Sequence, residues 1–348
     1  MDNKICIKSL HPVELAALLS DWGEPAYRAE QIFRWLSLGV TAFDEMTNLS
    51  KALRARLEEA CFITKPEILV RQESARDGTV KYLFGLEDGN CIETVLMKYE
   101  HGYSACLSTQ AGCKMGCVFC ASFDKGKTRN LTPAEIYDQL LWAQKDKGIR
   151  VSNIVLMGTG EPLDNFDYVL TFLRIVTHPK GLNLGMRHIS LSTCGLAPKI
   201  DALAAQKLQL TLSVSLHAPT NAIRDRLMPV NKAYPLEQLL PACRRYFEQT
   251  GRRISFEYAM IRGVNDTPRC AEQLGKLLAG LPCHINLIPL NHVEGSPLVP
   301  STRESIRDFQ NTLARKGFTV TVRRSLGGDI DASCGQLRKK VAAKETTL

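Results

Sequence analysis

The first 65 residues carry apolar positions at helical spacing. Leu15, Leu18 and Leu19 predict one helix, with Ser9 as its N-cap, Pro12 in its first turn and Gly23 as its stop. Ile32, Phe33, Trp35 and Leu36 predict a second from about Ala26 to Gly39, and Leu53, Leu57 and Ala60 a third from about Ser50. From about Pro66 to Ser108 the period shortens. Runs at 68–70, 80–84 and 92–96, separated by Asp77-Gly78 and Asp88-Gly89-Asn90, predict strands joined by tight turns. Beyond Thr132-Pro133 strand and helix patterns alternate. Strands are expected at 154–157, 189–191, 210–216, 254–260, 284–288 and 318–322, with helices at 168–176, 200–205 and 305–313 and further helices between. Such alternation requires parallel strands with crossover helices. The expected fold is α/β, a partial (β/α) barrel. It is divided into an N-terminal helical accessory domain (1–65), a connecting β segment (66–100) and a core barrel (101–348).

In a barrel of this kind chemistry gathers at the C-terminal ends of the strands, and those ends are polar here. The strand ending at Met157 runs into Gly158-Thr159-Gly160-Glu161-Pro162, and Leu191 is followed by Ser192-Thr193-Cys194-Gly195. A third end reads Ser215-Leu216-His217, and Pro289-Leu290-Asn291 closes a later one. Taken singly, Gly160 fits a turn glycine and His217 a satisfied core histidine. Converging on one mouth, they offer a carboxylate for an ammonium, hydroxyls and an amide for a ribose, and glycines that let the backbone approach a ligand.

The most specific stretch is Cys113-Lys-Met-Gly-Cys117-Val-Phe-Cys120. Structural zinc and iron–sulfur clusters normally take four protein ligands, so a compact C-x3-C-x2-C set leaves one coordination position open. An open iron is a place where substrate binds. Glu93 stands among apolar and β-branched neighbours, where burial would raise a carboxylate's pKa.

Composition narrows the class. With 348 residues, 45% of them hydrophobic and 23% charged, the chain reads as a globular protein with a sizeable core rather than a disordered one. No apolar run approaches the roughly 18 residues that span a bilayer, and Met1-Asp2-Asn3-Lys4-Ile5-Cys6 lacks the layout of a secretion signal. A cytosolic protein without membrane attachment is expected, its twelve cysteines reduced or metal-bound. The net charge of +8 gives a modest attraction for polyanions. Lys125, Lys127 and Arg129 lie just beyond the cysteine loop, and Arg28, Arg34, Lys51, Arg54 and Arg56 give the helical module either a nucleic-acid grip or an ordinary solvated face.

The C-x3-C-x2-C loop resembles that of the radical S-adenosylmethionine enzymes. The resemblance extends to the RNA adenine methyltransferases of the RlmN/Cfr family over nearly the whole chain. It is carried by Tyr27-Arg28-Ala-Glu-Gln31, Phe43-Asp44-Glu-Met46, Ile92-Glu93-Thr94-Val95, Ser108-Thr-Gln110-Ala-Gly112-Cys113 and Gly160-Glu161-Pro162. Ser215-Leu216-His217-Ala218, Met228-Pro229-Val-Asn231, Gly263-Val264-Asn265-Asp266 and the stretch from Asp329 to Leu337 continue it. The family commonly shows Ala-Thr-Gly after the third cysteine, where this chain has Ala121-Ser122-Phe123.

The resemblance implies that Cys113, Cys117 and Cys120 hold a 4Fe-4S cluster whose fourth iron chelates S-adenosyl-L-methionine. Gly160, Glu161, Ser192, Ser215, Leu216, His217 and Asn291 match positions that bind that cofactor. Cys334 matches the cysteine that is methylated and carries the one-carbon unit, Cys106 the cysteine that resolves the protein–RNA adduct through a transient disulfide, and Glu93 the general base. The implied substrates are 23S rRNA in the peptidyl transferase region and the tRNA adenosine 3′ of the anticodon. A flavodoxin- or ferredoxin-like electron donor and a monomeric state are implied as well. Gly160-Glu161-Pro162 is the RlmN form, which favours adenine carbon-2 over the carbon-8 of Cfr enzymes. A metal-containing RNA-binding protein without catalysis is the alternative of another class.

Overall fold

The computed structural model describes residues 4–123, 129–290, 297–330 and 337. Among these residues the main sheet has ten strands in sequential order. They are β1 (Glu67–Glu73), β2 (Val80–Gly85), β3 (Cys91–Tyr99), β4 (Gly102–Cys106), β5 (Val151–Leu156), β6 (Ile189–Thr193), β7 (Thr211–Ser215), β8 (Ile254–Met260), β9 (Cys283–Pro289) and β10 (Thr319–Val322). From β1 to β4 the pairings are antiparallel; from β4 to β10 they are parallel. The chain therefore passes without a break from a meander into an α/β array. The 66–100 segment contributes three strands to the same sheet as the core.

The sheet curls far enough for its two ends to meet. Residues after β10 reach the turn between β1 and β2, where Ser74 Oγ donates to Asp329 Oδ1 (2.6 Å), Ala75 N to Asp329 Oδ2 (3.0 Å) and Gly327 N to Asp77 Oδ2 (2.7 Å). This clasp completes the partial barrel. Period-2 alternation sorts its two faces. On β7 and β8, Leu212, Val214, Phe256 and Tyr258 are fully buried in the apolar core, while Ser213, Ser215, Ser255 and Glu257 take the other face.

Among the described residues ten α-helices accompany the sheet: α1 (Pro12–Ser20), α2 (Tyr27–Ser37), α3 (Lys51–Ala60), α4 (Pro133–Lys147), α5 (Phe166–Thr177), α6 (Ala197–Ala205), α7 (Asn221–Leu227), α8 (Leu236–Thr250), α9 (Pro268–Leu277) and α10 (Arg303–Arg315). The cap of α1 is His11 rather than Ser9. Glu14 accepts from the His11 N–H at 2.8 Å, and Ser9 Oγ instead receives the Ala134 N–H at 3.3 Å. The α4 helix opens on Thr132 with a Glu135 capping box and stops at Gly148 in the left-handed region.

The helical module is not a loosely tethered unit. Ile7, Leu15, Leu19, Ile32 and Phe33 belong to the same apolar cluster as the sheet. Beside it, Lys8 Nζ meets Asp138 Oδ1 of α4 at 2.6 Å with both side chains buried, and Thr64 Oγ1 donates to Asp138 Oδ2 at 2.5 Å.

Candidate active site

The loop after β5 fixes the start of the cysteine loop. Gly158 N donates to Leu107 O (3.0 Å), and Thr109 N and Gln110 N both donate to Thr159 O (2.9 and 3.1 Å). A Cβ at Gly158 would stand 2.7 Å from Leu107 C, and one at Gly160 2.7 Å from Gln110 N, so only glycine lets the two backbones touch. Gly160 also has φ +111. Gln110 secures the junction: its Oε1 accepts from Glu161 N (3.0 Å), and its Nε2 donates to Asn130 Oδ1 (2.8 Å) and Asp164 Oδ2 (2.9 Å). Farther along, Val118 N donates to Leu227 O of α7 at 3.0 Å, tying the loop to the far side of the mouth.

Between these anchors lies a cavity of about 520 Å³. Cys113, Cys117 and Cys120 line it, with Gly160, Glu161, Ser192, Ser215 and His217 from the strand ends and Cys106 from the end of β4. The segment from Arg323 to Gly328 lines it as well, together with Ile330. Leu216 does not line the cavity. Its side chain is fully buried in the core, its N–H donates to Glu257 O (3.0 Å) and its carbonyl receives Arg224 Nε (3.2 Å). Asn291 and Cys334 lie outside the described residues.

Glu161 is buried, with Oε2 accepting from Cys194 N (2.7 Å) and Oε1 from Leu163 N (3.0 Å). Burial raises its pKa, and these N–H donors oppose the rise. Burial pushes Cys113 up to about 11 and Cys117 up to about 12, with added repulsion from Cys120 and Glu161. His217 is lowered to about 3 by burial and then by Arg224. Its Nδ1 accepts from Ala259 N at 2.9 Å, which makes it a neutral ring, and Phe119 packs edge-on at 4.6 Å. Glu93 is buried as expected but is not among apolar neighbours alone: Lys81 Nζ lies 2.9 Å from its Oε2, with both side chains buried. Val95 and Met97, farther along the same face of β3, line the cavity, whereas Glu93 itself does not.

Three kinds of comparison bear on what this site belongs to. Residues 107–271 match the family model of the radical SAM superfamily, and residues 7–63 that of the ribosomal RNA large subunit methyltransferase N-terminal domain. A protein named "Probable dual-specificity RNA methyltransferase RlmN" from Desulforamulus reducens is 53% identical over 344 residues, covering 99% of this chain and 98% of that protein. The chain belongs to the RlmN family. A relative of the same name from Pelotomaculum thermopropionicum is 53% identical over 98% of this chain and 93% of its own. The crystal structure of a radical SAM methyltransferase from Sphaerobacter thermophilus superposes with a TM-score of 0.90 at 43% identity, covering 95% of this chain and 98% of that one.

The radical SAM superfamily, and with it the RlmN family, uses a 4Fe-4S cluster and S-adenosylmethionine. The donor set here fits that pair. Three thiols of one short loop line the same cavity. They are one short of the four cysteines such clusters normally take, which would leave one iron open to S-adenosylmethionine. Among the described residues no disulfide is formed.

Several residues that shape the site were not singled out from the sequence. Arg224 and Glu257 are buried beside the mouth, Glu257 accepting from Ser255 Oγ (3.0 Å) and Asn286 Nδ2 (2.7 Å). Asn265 donates to His217 O (2.8 Å) and Ala259 O (2.7 Å) and accepts from Ile261 N (2.8 Å), holding the His217 turn. The signal for Asn265 and Asn231 was present in the family motifs, which mark positions without saying what they bind.

Proposed function

We propose that this chain is a dual-specificity RNA methyltransferase that adds a methyl group to adenine carbon-2 in 23S rRNA and in tRNA. The observation that carries the reading is the single cavity shared by the cysteine loop, the polar strand ends, Cys106 and the segment that leads toward Cys334. Family membership and the names of its relatives supply the substrate class.

In this reading Cys113, Cys117 and Cys120 hold the cluster. Gly160, Glu161, Ser192, Ser215, His217 and Asn291 hold S-adenosylmethionine, with Leu216 acting through its backbone. When bound, the two groups supply the one-electron chemistry that an adenine ring carbon needs, since its C–H is too weakly acidic and the carbon too poor a nucleophile for direct displacement. Glu161, oriented by two backbone N–H groups, offers a carboxylate to an ammonium. Neutral His217 offers an N–H without adding a charge to the mouth. Cys334 accepts the methyl group and presents it to the base, Glu93 takes the ring proton, and Cys106 attacks Cys334 to release the product. The Lys81 ammonium holds the Glu93 carboxylate in place. The target base must leave its stack to reach the cavity.

An electron carrier of the flavodoxin or ferredoxin type, action as a monomer and a cytoplasmic location complete the proposal. Among the described residues no helix is long and apolar enough to cross a membrane. Mass spectrometry of nucleosides from the RNA of cells with and without the protein tests the reading. 2-Methyladenosine is expected to depend on the protein in both rRNA and tRNA; dependence of 8-methyladenosine alone would reject carbon-2.

A further inference from the structure

Arg224 has no part in the roles above, and its surroundings are unusual for a guanidinium. It is fully buried. Nε donates to Leu216 O (3.2 Å), Nη1 to Asn231 Oδ1 (2.8 Å), and Nη2 to Cys194 O (2.7 Å) and Ser215 O (3.1 Å). All four acceptors are neutral. Its chain neighbour Asp225 is one hydrogen bond removed: Asn231, which takes Nη1, donates its Nδ2 to Asp225 Oδ1 (2.7 Å). Burying a guanidinium without a carboxylate is costly unless another anion offsets it.

The geometry shows which anion is available. The carbonyl that Nη2 grips belongs to Cys194, and the Cys194 side chain packs in one apolar cluster with Cys117 and Leu227. Leu227 ends the helix that carries Arg224, and its carbonyl receives the N–H of Val118, next to Cys117. The guanidinium thus lies behind the wall on which the cysteine loop is hung. A cluster on three thiolates is anionic and becomes more so when it takes an electron. A fixed cation in a low-dielectric wall favours the more negative state.

We infer that Arg224 is a positioning residue that serves as the buried counter-charge of the iron–sulfur centre and raises its reduction potential, while it ties the ends of β6 and β7 to α7. The inference rests on the reading that Cys113, Cys117 and Cys120 hold that centre. A merely structural rivet would make the same four hydrogen bonds, so the test must read charge.

Anaerobic redox titration of the cluster, followed by electron paramagnetic resonance, supplies that readout for the wild type, Arg224→Lys, Arg224→Gln and Asn231→Asp. The last variant sets a carboxylate on Nη1. Because Asn231 Nδ2 otherwise donates to Asp225 Oδ1 (2.7 Å) and Asn221 Oδ1 (3.1 Å), it is built together with Asp225→Asn, which keeps an amide donor across the Asn231–Asp225 contact. It thus carries the test even if Arg224→Gln fails to fold. The midpoint potential is expected to fall in Arg224→Gln and Asn231→Asp and to stay near wild type in Arg224→Lys, although Arg224→Lys melts at a lower temperature. Wild-type potential in both Arg224→Gln and Asn231→Asp, or in Asn231→Asp alone where Arg224→Gln does not fold, overturns the inference and leaves the cluster reading intact. A wild-type protein that takes up no iron and sulfide defeats both.

Discussion

At the scale of single residues the site is built by burying groups that water would otherwise stabilise. His217 shows the consequence most simply. Its pKa in the folded protein is about 3, against 6.5 for a free imidazole, because burial and Arg224 disfavour the charged ring. Between those values the unfolded chain binds the extra proton, so this contribution to stability is complete above pH 6.5 and is lost as pH falls toward 3. About 2 kcal/mol should disappear between pH 7 and pH 5. In His217→Asn, which keeps an acceptor for Ala259 N and tolerates the positive φ of 56°, that slope should vanish; urea unfolding at the two pH values measures it. Gly160→Ala should cost about 2 kcal/mol or more, because the methyl group would meet Gln110 N in a backbone region that side chains avoid. It should also weaken cluster uptake, read as iron bound per chain, since Gln110 leads directly into the cysteine loop.

At the scale of elements, what could be read from the sequence depended on whether local pattern or distant partners made the element. The strands β5 to β10 were legible because their apolar runs are strong and their turns are marked. The strand β4, Gly102-Tyr-Ser-Ala-Cys106, was not separated from its surroundings, since small residues carry little strand preference of their own. It exists because β3 pairs with it on one side and β5 on the other. The polar strand ends were visible as candidate chemistry, and most of them do meet at the cavity. Leu216 shows the limit: a motif position can matter through its backbone while its side chain faces the core. Arg224 shows another, for nothing in a sequence distinguishes a solvated arginine from one buried among carbonyls. Between elements, Lys8 and Asp138 join the helical module to α4. Asp138→Ala should destabilise the protein by about 3–5 kcal/mol in denaturant unfolding, because it strands a buried ammonium.

At the scale of the whole molecule, a ten-stranded sheet becomes a reaction vessel only because its ends are brought together. The clasp of Ser74, Ala75 and Asp77 with Gly327 and Asp329 joins the first hairpin to the segment that leads to the C-terminal cysteine. Asp329→Ala should leave the melting temperature close to wild type while lowering the methylation rate and increasing protease cleavage after β10. Equal cleavage of both proteins would deny the clasp a positioning role. The continuity of the apolar core from the helical module into the barrel implies one cooperative unit, in which the module's surface keeps a fixed attitude to the mouth.

The methyl group is predicted to pass through Cys334 on its way to the RNA, with Cys106, which lines the cavity, as the resolving thiol. Peptide mass spectrometry of the anaerobically loaded protein, incubated with S-adenosylmethionine carrying an isotopically labelled methyl group, tests this most directly. One labelled methyl group is predicted on the peptide holding Cys334 and none on that holding Cys106. The label should then move to adenine carbon-2 when substrate RNA is added. RNA methylated without any label ever residing on Cys334 would contradict the account.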